Sequence, residues 1–180
     1  DVSDIISFDE NVSERELRAL AASAEARSEH PLGKAIVAYA AAEGVTLTEA
    51  EDFKMTAGKG ILAEVSGHRL ICGNEKFLVE NGASIGQKVQ SALERLRTQG
   101  KASILVADGR KCIGVIALSD VLRPEAKDMV SRLADMDTRT VLLTGDHQKT
   151  AAYFAKQVGI SGVRAELLPA EKVQNIEKLQ

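Results

Sequence analysis

Near its carboxyl end the chain runs an apolar segment straight into a hydroxyl and a carboxylate: Thr140, Val141, Leu142, Leu143, Thr144, Gly145, Asp146. Three successive apolar residues suit a strand covered on both faces, as inside a parallel sheet. The carboxyl edge of such a sheet is where open α/β folds place their ligands. There Thr144 would offer a hydroxyl, Asp146 a carboxylate, and the turn a backbone N–H. A helical stretch over 150–158, stopped by Gly159, follows, and then Leu167, Leu168, Pro169, Ala170, Glu171 and Lys172. Thr144 can donate to a phosphate oxygen, and Lys172 can pair with the same phosphate as a point charge on a flexible stem. Such groups stabilise charge in phosphoryl transfer. An ordinary strand-to-helix turn beside a solvated lysine fits the same residues taken alone.

The chain before residue 118 follows other rules. Residues 1–9 read as an extended segment with Ile5, Ile6 and Phe8. Ser13 and Glu16 form a capping box, and Leu17, Leu20, Ala21 and Ala24 then share a helical face that ends near Arg27. Pro31 opens a second helix, where its missing N–H costs nothing, and Gly44 closes it. Between Phe53 and Asn74, alternation broken by glycines predicts three strands, with a tight turn at Ser66, Gly67 and His68. Short helices over 75–80 and around Val89, Leu93 and Leu96 follow, then a hairpin about Asp108 and Gly109. After Leu118 the order becomes helix–strand–helix–strand–helix, with Pro124 opening the first helix. This predicts an α/β chain of two units. Residues 1–118 form an α+β unit with an antiparallel sheet flanked by helices; residues 119–180 form a parallel α/β unit.

Composition narrows the functions. With 180 residues there is room for one large domain or two small ones. Aromatics are 3% and Trp is absent, so the cores must be aliphatic. A net charge of −3 and no long Lys/Arg run argue against a nucleic-acid partner. Cys72 and Cys112 have no ligand spacing, so we expect buried thiols in a reducing compartment and no metal site. No stretch approaches a membrane span, and the acidic first residues do not resemble a signal peptide, so we expect a soluble piece.

Three motifs in the first half carry chemistry. The residue before a proline is driven from the α region, so His30 should sit extended at the N-cap of the Pro31 helix, its ring free to meet a planar base. A surface capping histidine is the plainer reading. Gly58, Lys59 and Gly60 make a G-x-G turn where a ligand can approach backbone closely, although a simple hairpin turn has the same form. It lacks the third glycine of a dinucleotide fingerprint and the spacing of a Walker loop. Gly73 and Asn74 end the third strand and are unremarkable alone.

Together these motifs resemble heavy-metal-transporting P-type ATPases across essentially the whole chain. The run beginning Asp120-Val121-Leu122-Arg123-Pro124, then Thr144-Gly145-Asp146 and Pro169-Ala170-Glu171-Lys172, resembles their phosphorylation domain, which has a haloacid-dehalogenase-like fold. Ser28-Glu29-His30-Pro31-Leu32, Gly58-Lys59-Gly60-Ile61 and Gly73-Asn74 resemble their nucleotide-binding domain. The resemblance implies that ATP binds, with Glu25 bonding the adenine amino group and His30 packing on the purine. It implies Gly58, Gly60, Gly73 and Asn74 as the nucleotide wall. It also implies Thr144, Lys172 and Asp146 as phosphoryl-side contacts in an intact pump. Two hallmarks of that family, the Asp-Lys-Thr-Gly-Thr phosphorylation loop and the Gly-Asp-Gly-x-Asn-Asp magnesium loop, do not occur in these 180 residues.

The expectation is therefore an ATP-binding cytoplasmic portion of an integral membrane pump. It would work with Mg2+ and with the pump's remaining phosphorylation, actuator and transmembrane domains. His147, Ala165–Pro169 and Gly114–Leu118 look like the zinc/cadmium/lead branch more than the copper branch. Two rivals are a haloacid-dehalogenase-type phosphatase, which would need an early Asp-x-Asp/Thr motif not found here, and a non-catalytic nucleotide-binding module.

Overall fold

The structure is a computed structural model and describes residues 1–119 and 122–177. The chain divides into two compact units, one of Asp1–Glu94 with Ser103–Ser119, the other of Arg95–Ala102 with the chain after Ser119.

The first unit is built on a sheet of β1 (Val2–Ser7), β2 (Glu51–Thr56), β3 (Gly60–Val65), β4 (His68–Gly73), β5 (Lys101–Asp108) and β6 (Lys111–Ser119). Its strand order is β1-β6-β5-β4-β3-β2, with β1 returning antiparallel to β6. The helices are α1 (Glu14–Glu25), α2 (Pro31–Ala42), α3 (Glu75–Glu80) and α4 (Gln87–Thr98). Local rules set their ends. The Ser13 hydroxyl accepts from the Glu16 N–H at 3.2 Å and the Glu16 carboxylate accepts from the Ser13 N–H at 2.8 Å, a complete capping box. Pro31 is the first residue of α2, as its sequence position predicts.

Leu17, Ala21 and Ala24 on α1, with Ile36 and Ala40 on α2, meet Ile61, Ala63, Val65, Leu70 and Cys72 in one aliphatic core. Gly114 on β6 leaves the space that Leu17 fills: a Cβ there would lie 2.2 Å from a Leu17 methyl. β6 is buried at every residue from Cys112 to Leu118, as the strand of the expected hairpin that lies between β1 and β5. Cys72 and Cys112 are free, buried thiols. Burial pushes the Cys112 thiol up to about 11 and the Cys72 thiol well above its ordinary value.

The second unit contains α5 (Pro124–Asp135), β7 (Val141–Leu143), α6 (Gln148–Val158), β8 (Gly162–Arg164) and α7 (Pro169–Glu177). β7 and β8 pair in parallel. Gly159 ends α6 in the left-handed region at φ 85°. The expectation that β7 is covered on both faces is corrected: all three of its residues are half-buried, since β8 is its one neighbour among the described residues. Residues 95–102, read as part of the first half, belong here: the Thr150 hydroxyl donates to the Lys101 carbonyl at 3.3 Å, and the Tyr153 ring lies against Gly100. Asp120 and Val121, the start of the phosphorylation-domain run, lie outside the described residues, as do 178–180. Among the described residues no helix is long and apolar enough to cross a membrane.

Candidate functional site

Glu25, the last residue of α1, is 3% exposed, and its Oε2 is buried with no hydrogen-bond partner. Burial holds its carboxyl above the usual range, and the Ser28 hydroxyl, bonded to it, offsets part of that rise. An unmatched carboxyl oxygen in a core costs free energy, so it calls for a role. The slot that admits it is made by Gly33 in α2: a Cβ there would lie 2.3 Å from Glu25 Oε2 and 2.9 Å from Ser28 Oγ.

Ser28 also ties this group to His30. Its backbone N–H donates to the Glu25 carbonyl at 2.8 Å, and its Oγ accepts from the His30 N–H at 3.2 Å. His30 is extended at φ −68°, ψ 134° and caps α2, its Nδ1 accepting from the Leu32 N–H at 3.2 Å. The ring is thus not wholly free, as its position before Pro31 suggested. Nδ1 serves the cap, and the ring faces and Nε2 remain for a ligand.

The G-x-G turn lies at the same end of the sheet. α1 packs on β3 and β4. The Glu25 charge is felt by the Cys72 thiol on β4, and Cys72 pairs with Ile61 next to the Gly60–Gly73 pair. Gly58 is in the left-handed region at φ 73°. Gly60 and Gly73 face each other: a Cβ on Gly60 would lie 2.2 Å from the Cys72 carbonyl oxygen and 2.6 Å from the Phe77 ring, and one on Gly73 would lie 2.4 Å from the Lys59 oxygen. The close approach these two glycines permit within the protein is between the strands and Phe77. Asn74 caps α3, its Oδ1 accepting from the Phe77 N–H at 2.9 Å, and its N–H donates to the Lys59 carbonyl at 3.1 Å. Lys59 Nζ bonds Glu80 at 2.9 Å across the turn.

In the second unit, the Thr144 hydroxyl donates to Asp146 Oδ2 at 2.7 Å, and the Asp146 N–H returns to Thr144 Oγ1 at 3.1 Å. The Thr144 N–H donates to the Arg164 carbonyl, and the Leu167 N–H to the Thr144 carbonyl, so this turn is pinned to the end of β8 and the loop after it. Lys172 is half-buried on α7. His147 caps α6 through Nδ1, which accepts from the Lys149 N–H, and its Nε2 is 3.9 Å from Glu166.

The residues fit an adenine nucleotide, because the partnerless Glu25 oxygen matches an exocyclic amine. They do not fit Mg2+: among the described residues no three His, Cys, Asp or Glu side chains gather, and Asp146 Oδ2 is already engaged. A groove lined by Ser3, Asp4, Glu14, Arg18 and Tyr39 holds about 150 Å³ and is not a rival. Ligand pockets usually exceed about 300 Å³, and Arg18 in this groove is bonded to Glu43 at 3.1 Å.

The haloacid dehalogenase-like hydrolase family matches residues 6–180. The chain belongs to that family. Its relatives are heavy-metal P-type ATPases. A copper-exporting P-type ATPase of Staphylococcus aureus (strain bovine RF122 / ET3-1) is 42% identical over 161 residues, which are 89% of this chain and 20% of that protein. The catalytic domain of the CPx-ATPase CopB-B, solved in a study of its conformational changes on nucleotide binding, is 29% identical with a TM-score of 0.72. That match covers 99% of this chain and 59% of that one. A zinc-transporting PIB-type ATPase in its E2.Pi state is 32% identical with a TM-score of 0.65, covering 99% of this chain and 28% of that one. The chain thus spans 20% of the curated copper exporter it matches.

Within this hydrolase-family chain, Gly33 escaped sequence reasoning, and Ser28 was legible only as part of the Ser28–Leu32 motif, not as the link between Glu25 and His30. The Gly33 signal was present: a glycine in the first turn of a helix loses helix propensity and needs a packing reason. Only the fold shows that the reason is Glu25.

Proposed function

We propose that this chain is the ATP-binding cytosolic portion of a heavy-metal cation-transporting P-type ATPase. Residues 1–118 act as the nucleotide-binding domain and 119–180 as part of the phosphorylation domain. The observation that carries the reading is the buried, partnerless Glu25 oxygen in the Gly33 slot, bridged by Ser28 to the exposed His30. In this reading the adenine amino group meets Glu25, the ring stacks at His30, and Gly58 and Asn74 border the sugar and phosphates. Gly60 and Gly73 hold that wall rigid from behind.

In the intact pump, Thr144 and Lys172 stabilise charge on the transferred phosphoryl group, the Thr144 hydroxyl turning its proton from Asp146 Oδ2 to the phosphate while the Asp146 N–H holds its oxygen. When Mg2+ is present it shares in neutralising the phosphates; the residues here do not form its site. The acceptor aspartate is supplied outside these residues, as are the actuator and transmembrane domains. The cargo is a heavy-metal cation. A preference for zinc, cadmium or lead over copper gains no support: the copper exporter matches at 42% identity, the zinc transporter at 32%, and the His147 ring nitrogen is engaged in capping α6.

The test is an NMR titration with ATP. Shifts should centre on Glu25, His30, Gly58, Gly60 and Asn74, and incubation with ATP and Mg2+ should leave no phosphate covalently bound to this chain. Shifts confined to Thr144 and Lys172 would overturn the assignment.

A further inference from the structure

Lys59 is the one charged residue of the turn between β2 and β3, and the fold anchors it more firmly than a solvated surface lysine needs. Its N–H donates to the Thr56 carbonyl at 3.0 Å, closing a four-residue turn whose third residue, Gly58, is left-handed at φ 73°. Its carbonyl accepts from the Asn74 N–H at 3.1 Å, which ties the turn to the junction of β4 and α3. Its Nζ reaches both carboxylate oxygens of Glu80, the last residue of α3, at 2.9 and 3.2 Å. Lys76 Nζ stands 4.0 Å from the same carboxylate, so two cations share one anion beside the turn.

The Lys59–Glu80 pair opens at little cost. The side chains are 32% and 41% exposed. An exposed ion pair is a weak clasp, because water screens the attraction and two long side chains must be held still. Glu80 therefore sets where Nζ is found without holding it tightly. A phosphate chain offers more charge than one carboxylate and several acceptor oxygens, and an ammonium on a flexible stem swings to a new anion while its backbone stays fixed. Lys76 remains to pair with Glu80 after such an exchange. Gly58 and Asn74, adjacent to Lys59 and bonded to it, are the residues that border the sugar and phosphates in the site proposed above.

We propose that Lys59 is a phosphate-contacting residue that Glu80 holds in reserve. Nζ pairs with Glu80 before a nucleotide binds, and exchanges that carboxylate for the phosphate chain when one does. This makes Lys59 the residue of the first unit that prefers a polyphosphate nucleotide over the bare nucleoside. The inference rests on the nucleotide site proposed above and adds how that site senses the phosphates.

The experiment titrates the 180-residue chain with adenosine and with ATP, in EDTA so that no metal neutralises the phosphates. Lys59→Ala should weaken ATP by about tenfold, the worth of one charge-assisted hydrogen bond, and leave adenosine within about twofold, which also reports that the variant is folded. Glu80→Gln should strengthen ATP by about twofold to fivefold by removing the competing ion pair, and the double variant should bind ATP no better than Lys59→Ala. Lys76→Ala, which removes a charge of the same sign from α3, should change ATP affinity by less than about threefold. Four results would each overturn the proposal alone: equal losses for adenosine and ATP in Lys59→Ala, unchanged ATP affinity in Lys59→Ala or in Glu80→Gln, a Glu80→Gln gain that persists without Lys59, or an ATP loss in Lys76→Ala as large as in Lys59→Ala. Failure of both ligands to bind the unsubstituted chain would overturn the nucleotide site itself and the proposal with it.

Discussion

Gly33→Ala separates stability from binding. Ala is favoured over Gly in a helix by about 1 kcal/mol. The added methyl would lie 2.3 Å from Glu25 Oε2, 2.9 Å from Ser28 Oγ and 3.0 Å from Ser28 Cβ. The first contact cannot persist, so the carboxyl must leave its slot. It is the end of a flexible side chain and Oε2 has no partner to lose. Its release removes a burial penalty of about 1–3 kcal/mol and forfeits the Ser28 bond, about 1 kcal/mol. The tighter Ser28 contact costs about another 1 kcal/mol. These terms combine to a variant between equally stable and about 2 kcal/mol more stable. ATP affinity should nevertheless fall by about tenfold to a hundredfold, as the base loses one or two hydrogen bonds. Urea unfolding followed by circular dichroism, with calorimetric ATP titration on the same samples, measures both. A variant destabilised by more than about 1 kcal/mol would show that Gly33 serves packing alone. Unchanged ATP affinity in a stable variant would show that the Glu25 carboxyl does not meet the base.

Two more predictions concern the same end of the sheet. Because burial raises the Glu25 carboxyl in the fold, the folded state binds its proton more tightly than the unfolded chain, so stability should decline as pH climbs from the ordinary carboxylate value of 4.5 toward the folded value. Glu25→Gln should abolish that decline, seen as a growing advantage in urea midpoint at the higher pH; parallel curves for the two proteins would count against it. Gly60→Ala should destabilise the chain by about 2 kcal/mol or more, because its methyl meets a backbone carbonyl rather than a mobile side-chain end. An unchanged urea midpoint would refute the tight Gly60–Gly73 contact.

The order and ends of the elements were readable in advance wherever a short-range rule governs them. The Ser13–Glu16 capping box, Pro31 opening α2, Gly44 and Gly159 closing helices, and the G-x-G turn between β2 and β3 all depend on hydrogen bonds and dihedrals spanning a few residues. The same rules placed His30 at an N-cap. They did not show that its Nδ1 is used there, because this depends on the rotamer the ring adopts. The burial of β7 was misjudged for a related reason. Three apolar residues state a preference for cover, and how much cover they receive is set by the strands and helices beside them.

The sequence by itself therefore determined the α/β class, the change of architecture after residue 118, and the residues that point to a nucleotide and a phosphate. Only the tertiary structure decided what several of those residues do. It seats Glu25 against Gly33, eight positions along the chain, and turns Gly60 and Gly73 toward each other and Phe77. It also joins residues 95–102 to the second unit. These outcomes come from steric fit and desolvation between segments that meet only when helices lie on a sheet, and no local rule carries that information.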